Sequence, residues 1–237
     1  MRQAAGNGDG QDEEAEINAN MIDFSKPIDD AANQHEEGDV RKELMTFPQP
    51  CPACFNPGLV KMCCATIPFF KEIIIMAFSC DVCGHKSTEI KQGGGISEKA
   101  SKITFHVQNP QDVNRDVFKS DTCEITIPEI ELTLQPGTLG SLYTTVEGML
   151  QKIIDQLTET NPFTGDSTDS SLFRAFIDKI KVLTEGNTPF TFILDDPLSN
   201  CFIYNPNAPE DDPQIQVEVY ERTAEQEEEL GIADMRV

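Results

Sequence analysis

The chain has 237 residues, 38% of them hydrophobic, and sets 41 acids against 18 bases for a formal charge of −23. That length can bury a real core, in one large domain or two small ones. The acidic balance argues against nucleic-acid binding, which concentrates Lys and Arg on one face. No apolar run approaches the roughly 18–20 residues that a membrane span needs.

The charge is unevenly spread. Residues 1–45 hold twelve acids and four bases, and residues 207–237 hold ten acids and two bases. The middle is ordinary globular composition between acidic, polar ends, which read first as solvated tails and second as an attraction for a basic protein. Gly, Asn, Asp and Glu dominate residues 1–45 without a sustained apolar period, which predicts a disordered segment or linker. The first twenty residues lack the apolar stretch of a secretory signal. A cytosolic or nuclear chain keeps its thiols reduced, so the eight cysteines do not read as a disulfide framework.

Two β-like runs, "LVKMCCATI" (59–67) and "FKEIIIMAF" (70–78), are separated by Pro68, and the Gly93–Gly95 triplet follows as a turn signal. Further strands are predicted at "KITFHV" (102–107), "CEITI" (123–127) and "IELTLQ" (130–135). The period then changes. Val146, Met149, Leu150, Ile153, Ile154 and Leu157 make one apolar helical stripe over residues 144–158, with Thr144 and Glu147 as a capping box. A second helix fits residues 170–185, carrying Leu172, Phe173, Phe176, Ile177, Ile180 and Leu183, with Gly186 as its stop. Strands return at "PFTFILDD" (189–196), "CFIYN" (201–205) and "QVEVY" (216–220). The predicted architecture is mainly β: a zinc-ribbon-like module, then a β domain with a helical hairpin inserted.

Cys51, Cys54, Cys80 and Cys83 form two C-x2-C pairs. Four thiolates so spaced can surround one tetrahedral Zn²⁺, two from each knuckle, and leave no open position for chemistry. Gly84, directly after Cys83, suits a tight knuckle turn. A redox pair would want a βαβ context, which the pattern lacks. Cys63 and Cys64 are neighbours in a predicted strand and face opposite ways, so they read as packing residues, as do Cys123 and Cys201. Catalytic constellations are not found. The three histidines, His35, His85 and His106, form no metal-binding pair, and neither a phosphate loop nor a nucleophile elbow is present. Asp195 and Asp196 are adjacent and diverge in a strand. A binding protein is favoured over an enzyme.

The strings "FPQPCPAC", "IPFFKEIIIMAFSCDVCGHKSTEIKQGGGIS", "DVNRDVFKSDTCEITIPEIELTLQPGTLGSLYTTVEG", "PFTFILDDPLSN" and "YERTAEQEEELGIADM" resemble the zinc finger protein ZPR family over about residues 45–237. The resemblance implies a four-cysteine zinc finger and a double-stranded β-helix, or jelly-roll-like, domain with a helical hairpin. Eukaryotic members carry two such modules; this chain resembles the second of them. It departs from the family's strings at Ser141 and Ala100, where glycines are usual. The resemblance implies one structural zinc and ATP-independent assistance to the folding of translation elongation factor 1-alpha. It also implies binding to receptor tyrosine kinases and the survival-motor-neuron complex, and residence in cytoplasm and nucleus.

On these grounds the chain divides into an acidic segment (1–45), a zinc finger (46–95), a β domain (96–220) with its hairpin at about 144–185, and an acidic end (221–237). Partner contacts are predicted in "DVNRDVFKSDT", where Arg115, Asp116, Lys119 and Ser120 mix charges on an apparent loop. The alternative there is that they cross-link the loop to its own domain. Leu230 and Met235, on an amphipathic turn, are further candidates. Phe55, Phe69 and Phe70 of the finger read first as core and second as a contact surface.

Overall fold

The computed structural model describes residues 44–67, 70–160 and 168–234, the side chains of residues 168–170 excepted. The expected disorder of the first segment therefore falls outside the described residues, apart from Leu44 and Met45, and Met45 already pairs with Met62. Contacts divide the chain into two units, one ending at Thr88 and one starting at Glu89.

A meander of β1 (Met45–Pro50), β2 (Pro57–Thr66), β3 (Glu72–Ser79) and β4 (Lys86–Gln92), each beside the next, builds the first unit, with β4 running past the division at Thr88. β3 carries three consecutive β-branched isoleucines, and it pairs with the long β2 over eight positions from Leu59↔Ser79 to Thr66↔Glu72. Alternation separates the neighbouring cysteines as expected, with Cys63 buried and Cys64 half-buried. Val60 and Phe78 pack with Cys51 and Cys80 into a small core beside the knuckles. The ring of Phe78 closes over Gly58, where an added Cβ would lie 2.3 Å from the ring and 2.9 Å from the Ser79 carbonyl. Only glycine fits there.

The second unit is a two-sheet sandwich. Five strands run in the order β12 (Ile215–Tyr220), β5 (Ala100–Val107), β10 (Phe190–Asp196), β7 (Glu124–Ile127), β8 (Leu132–Leu134). Three more run as β11 (Phe202–Ile203), β6 (Asp116–Lys119), β9 (Leu142–Thr145). The larger sheet turns alternate residues inward: Ile103, Phe105 and Val107 from β5, Phe190, Phe192 and Leu194 from β10, Ile125 and Ile127 from β7. Between β9 and β10 stand helices α1 (Val146–Glu159) and α2 (Thr168–Thr184). Val146, Met149, Leu150, Ile153 and Ile154 of α1 join the same core, as do Ile177, Ile180 and Leu183 of α2.

Three local expectations change. α1 is capped by Thr145, not Thr144, because Leu142–Thr145 is spent on β9; the Thr145 hydroxyl accepts the Gly148 amide at 3.1 Å. Leu172, placed on the apolar stripe of α2, is 65% exposed. The segment expected to be a loop at residues 112–122 contains β6, whose Val117, Phe118 and Lys119 are all fully buried.

Candidate metal centre

The two cysteine pairs form knuckles of matching geometry. In the first, the Phe55 amide donates to the Cys51 carbonyl at 2.9 Å and the Cys51 amide donates to the Asn56 carbonyl at 2.8 Å. In the second, Gly84 donates to Cys80 at 2.9 Å and Cys80 donates to His85 at 2.9 Å. Each turn needs a left-handed residue just after its second cysteine. Gly84 takes φ 73° without cost, whereas Phe55 takes φ 60° with a full side chain.

These turns bring four sulfurs together. Cys51 Sγ lies 3.6 Å from Cys83 Sγ, Cys54 Sγ lies 3.6 Å from Cys80 Sγ, and all four lie within 4.8 Å of one another. A tetrahedral zinc with Zn–S bonds of about 2.3 Å sets its sulfurs about 3.8 Å apart, so the set fits that ion. The amide of Asn56 donates to Cys54 Sγ at 3.5 Å and helps draw that thiol down to about 6, whereas Cys83, despite its His85 backbone contact, is pushed up to about 12 by the sulfurs around it; four crowded thiols share their protons until a cation replaces them. Four thiolates close the shell, and the centre is that of one structural Zn²⁺. Among the described residues, no other group of His, Cys, Asp and Glu is positioned to hold a metal.

Alongside exposed Asp81 and Asn56, the knuckles display two large apolar side chains. Phe55 is 83% exposed and Val82, inside the second knuckle, is 67% exposed. Phe55 is thus not a core residue. Its sequence signal is a phenylalanine standing where the other knuckle has glycine. Phe70 is half-buried and Phe69 lies outside the described residues.

The other predicted contact residues are placed differently. Arg115 is buried, and its guanidinium donates to Asp112 at 2.9 Å, to Asp212 and to Gln214. Lys119 is fully buried, with Nζ donating to the carbonyls of Ser120 at 2.9 Å and Gly140 at 3.3 Å. The buried Ser120 hydroxyl donates to Asp196 at 2.8 Å. Asp116 accepts the Tyr143 hydroxyl at 3.2 Å; burial and that carboxylate push Tyr143 up to about 12. These four side chains cross-link the domain from within, and the buried charges of Arg115 and Lys119 are answered locally. Leu230 is half-buried at the end of α3 (Ala224–Glu229), and Met235 lies outside the described residues. Asp195 and Asp196 do diverge: Asp195 accepts the Tyr220 hydroxyl at 2.6 Å, while Asp196 accepts the amides of Leu198 and Asn200 and so shapes the turn after β10.

Residues 43–98 match the family model described as the ZPR1 zinc-finger domain, and residues 111–232 match the ZPR1 jelly-roll domain. Zinc finger protein ZPR1 of Bos taurus is 44% identical over 205 residues, which covers 85% of this chain and 44% of that protein. The human protein of the same name is 43% identical over 209 residues, covering 86% of this chain and 45% of its own. Zinc finger chaperone zpr1 of Schizosaccharomyces pombe is 42% identical over 200 residues, covering 82% of this chain and 43% of its own. The chain thus spans less than half the length of these curated relatives.

Proposed function

Because the chain belongs to the ZPR1 zinc-finger protein family, we propose that it is a non-catalytic, zinc-organised chaperone or adaptor module that binds translation elongation factor 1-alpha and assists its folding. The observation that carries this reading is Phe55. A bulky residue in the left-handed region costs about 1–2 kcal/mol relative to glycine. That cost is borne at a position where the opposite knuckle has glycine, and the ring it supports is 83% exposed. Strain without internal packing points outward, to a partner that buries the ring. In this reading the zinc serves as scaffold, holding Phe55 and Val82 on rigid turns so that little ordering is left to be done on binding.

The charge supports a basic client. Electrostatic attraction raises the association rate of an acidic binder, while the apolar knuckle tips supply affinity. The module acts, on this reading, in cytoplasm and nucleus. Receptor tyrosine kinases and the survival-motor-neuron complex are alternative partners that would meet the same tips.

The test is a titration of the zinc-loaded chain with elongation factor 1-alpha, native and refolding. Phe55→Gly with Val82→Ser should weaken binding by about 1–3 kcal/mol while zinc content stays at one per chain. Phe55→Gly alone should leave stability unchanged or raise it by up to about 1 kcal/mol. Unaltered binding by the double variant would reject the knuckle tips as the contact. Absence of any binding by the intact, zinc-loaded chain would reject elongation factor 1-alpha as the client of this module.

A further inference from the structure

The sandwich of the second unit is unequal, and its inequality leaves core-type side chains uncovered. On β12, Ile215, Val217 and Val219 pair directly with Phe105, Ile103 and Ser101 of β5. Directly paired residues share a face, so these three point to the inner side of the sheet. Yet Val217 is 57% exposed and Val219 is 61% exposed. Opposite them the smaller sheet stops at β11, two residues long and the last strand of its order. Among the described residues, no strand lies beyond it.

Between the two edges is a cavity of about 590 Å³, floored by Ile103, Ile215 and Val217 and walled by Cys201, Phe202 and Ile203. The β11 edge also has backbone to offer. The Tyr204 amide donates to Asp116 of β6 at 2.8 Å. By alternation along an antiparallel strand, the amide and carbonyl of Ile203 face the open side.

Charge selects the occupant. The charged residues lining the cavity are Asp211 and Asp212. Asp212 is already answered by Arg115, whereas Asp211 is exposed at the mouth, next to exposed Glu210. A second copy of this chain carries a charge of −23, and its own residues 1–45 hold twelve acids against four bases; both would be repelled from this mouth. An extended segment alternating apolar and basic side chains would not.

We propose that this slot receives one extended segment of a basic protein partner, added as a strand beside β11, its apolar side chains on Val217 and Val219 and its basic ones at Asp211. This rests on the reading of the chain as a protein-binding module, and adds to the knuckle tips a second contact with a different chemistry. A two-residue edge supplies few backbone hydrogen bonds, so the affinity comes mainly from the apolar floor.

The experiment uses the full zinc-loaded chain and a short fluorescent peptide of alternating valine and lysine, with a valine–glutamate peptide as comparison. The valine–lysine peptide should bind saturably, and the valine–glutamate peptide at least about tenfold more weakly. Val217→Asp with Val219→Asp should weaken the first peptide by about tenfold, although purely electrostatic adsorption would strengthen with two added carboxylates. Hydrogen exchange on the unaltered chain gives a readout that needs no variant: the Ile203 amide should exchange rapidly when free and slow when the peptide is bound. Protection of Ile203 already in the free chain would mean that the chain's own segment or a second copy fills the slot, and would overturn the proposal. So would stronger peptide binding by the aspartate variant. Elongation factor 1-alpha separates the two contacts. Binding lost with Phe55→Gly and Val82→Ser but untouched by the aspartate pair would overturn the slot and leave the knuckle reading intact.

Discussion

Arg115 and Asp212, 97 positions apart in the chain, form a buried ion pair, with Arg115 Cζ 4.7 Å from the centroid of the Phe105 ring. The same guanidinium holds Asp112, so one cation answers two carboxylates in the interior. Replacing it with an apolar residue of similar length leaves both carboxylates buried without their countercharge. Arg115→Met should therefore lose about 3–5 kcal/mol in urea-induced unfolding. A loss below about 1 kcal/mol would mean that water reaches these carboxylates.

Acid should act through Asp112. Burial works against its ionised form, but donations from the Gln108 amide, the Gln214 side chain, Arg115 and the Asn109 amide outweigh burial and hold its carboxyl below the ordinary range. A group depressed in the folded state stabilises fully above its unfolded value of about 3.9, and the stabilisation is lost as pH falls through the folded value. Asp112→Asn should cost about 2–3 kcal/mol at neutral pH and flatten the decline of stability below about pH 4. Parallel pH–stability curves for the two proteins would count against this assignment.

Gly186 closes α2 with φ 67°, and a Cβ there would lie 2.7 Å from Pro110 Cα and 3.2 Å from the Asn109 carbonyl. Those atoms are backbone and belong to the loop whose amides hold Asp112, so they cannot swing aside. Gly186→Ala should lower stability by about 2–4 kcal/mol, combining left-handed strain with the contact. Thermal unfolding measures it. A neutral substitution would show that the loop at residues 108–111 shifts freely.

Removing the metal should have a local effect of known sign. Zinc binding supplies about 10–16 kcal/mol in comparable small sites, and that energy is largely folding energy. Chelation, or Cys80→Ser with Cys83→Ser, should abolish amide protection in β2 and β3. The amides of β5 and β10, set in a separate core, should keep theirs. Persistent protection of β2 and β3 without metal would show that Val60 and Phe78 hold the meander by themselves.

The elements that announced themselves in the sequence are those whose residues answer to one local periodicity. The stripe of α1 and the long runs of β2, β3 and β10 are of this kind, and each lies within two residues of its expected place. β6 did not, because the charges in it and just before it are answered by groups outside the strand. Arg115 and Lys119 look solvated until Asp212, Gln214 and Gly140 are brought beside them. β9 was hidden by Thr144 and Thr145, residues that serve a strand and a helix cap equally well. At the metal centre the cysteine spacing was legible because the ion demands it. The backbone of Phe55 was not, since nothing in a phenylalanine advertises a left-handed conformation; the matching hydrogen bonds of the second knuckle reveal it.

The pairing of β5 with β12 also sets a timetable. β5 begins at Ala100 and its partner ends at Tyr220, so a ribosome must have released the chain through Tyr220 before that edge can close. Asp112 and Arg115 likewise wait for Asp212 and Gln214. The zinc knuckles, complete by His85, need none of the later strands of the second unit and can take up metal while the rest is still being synthesised. During that interval the emerging β5 strand, with Ile103 and Phe105 facing no partner, is the part of the molecule most in need of shelter.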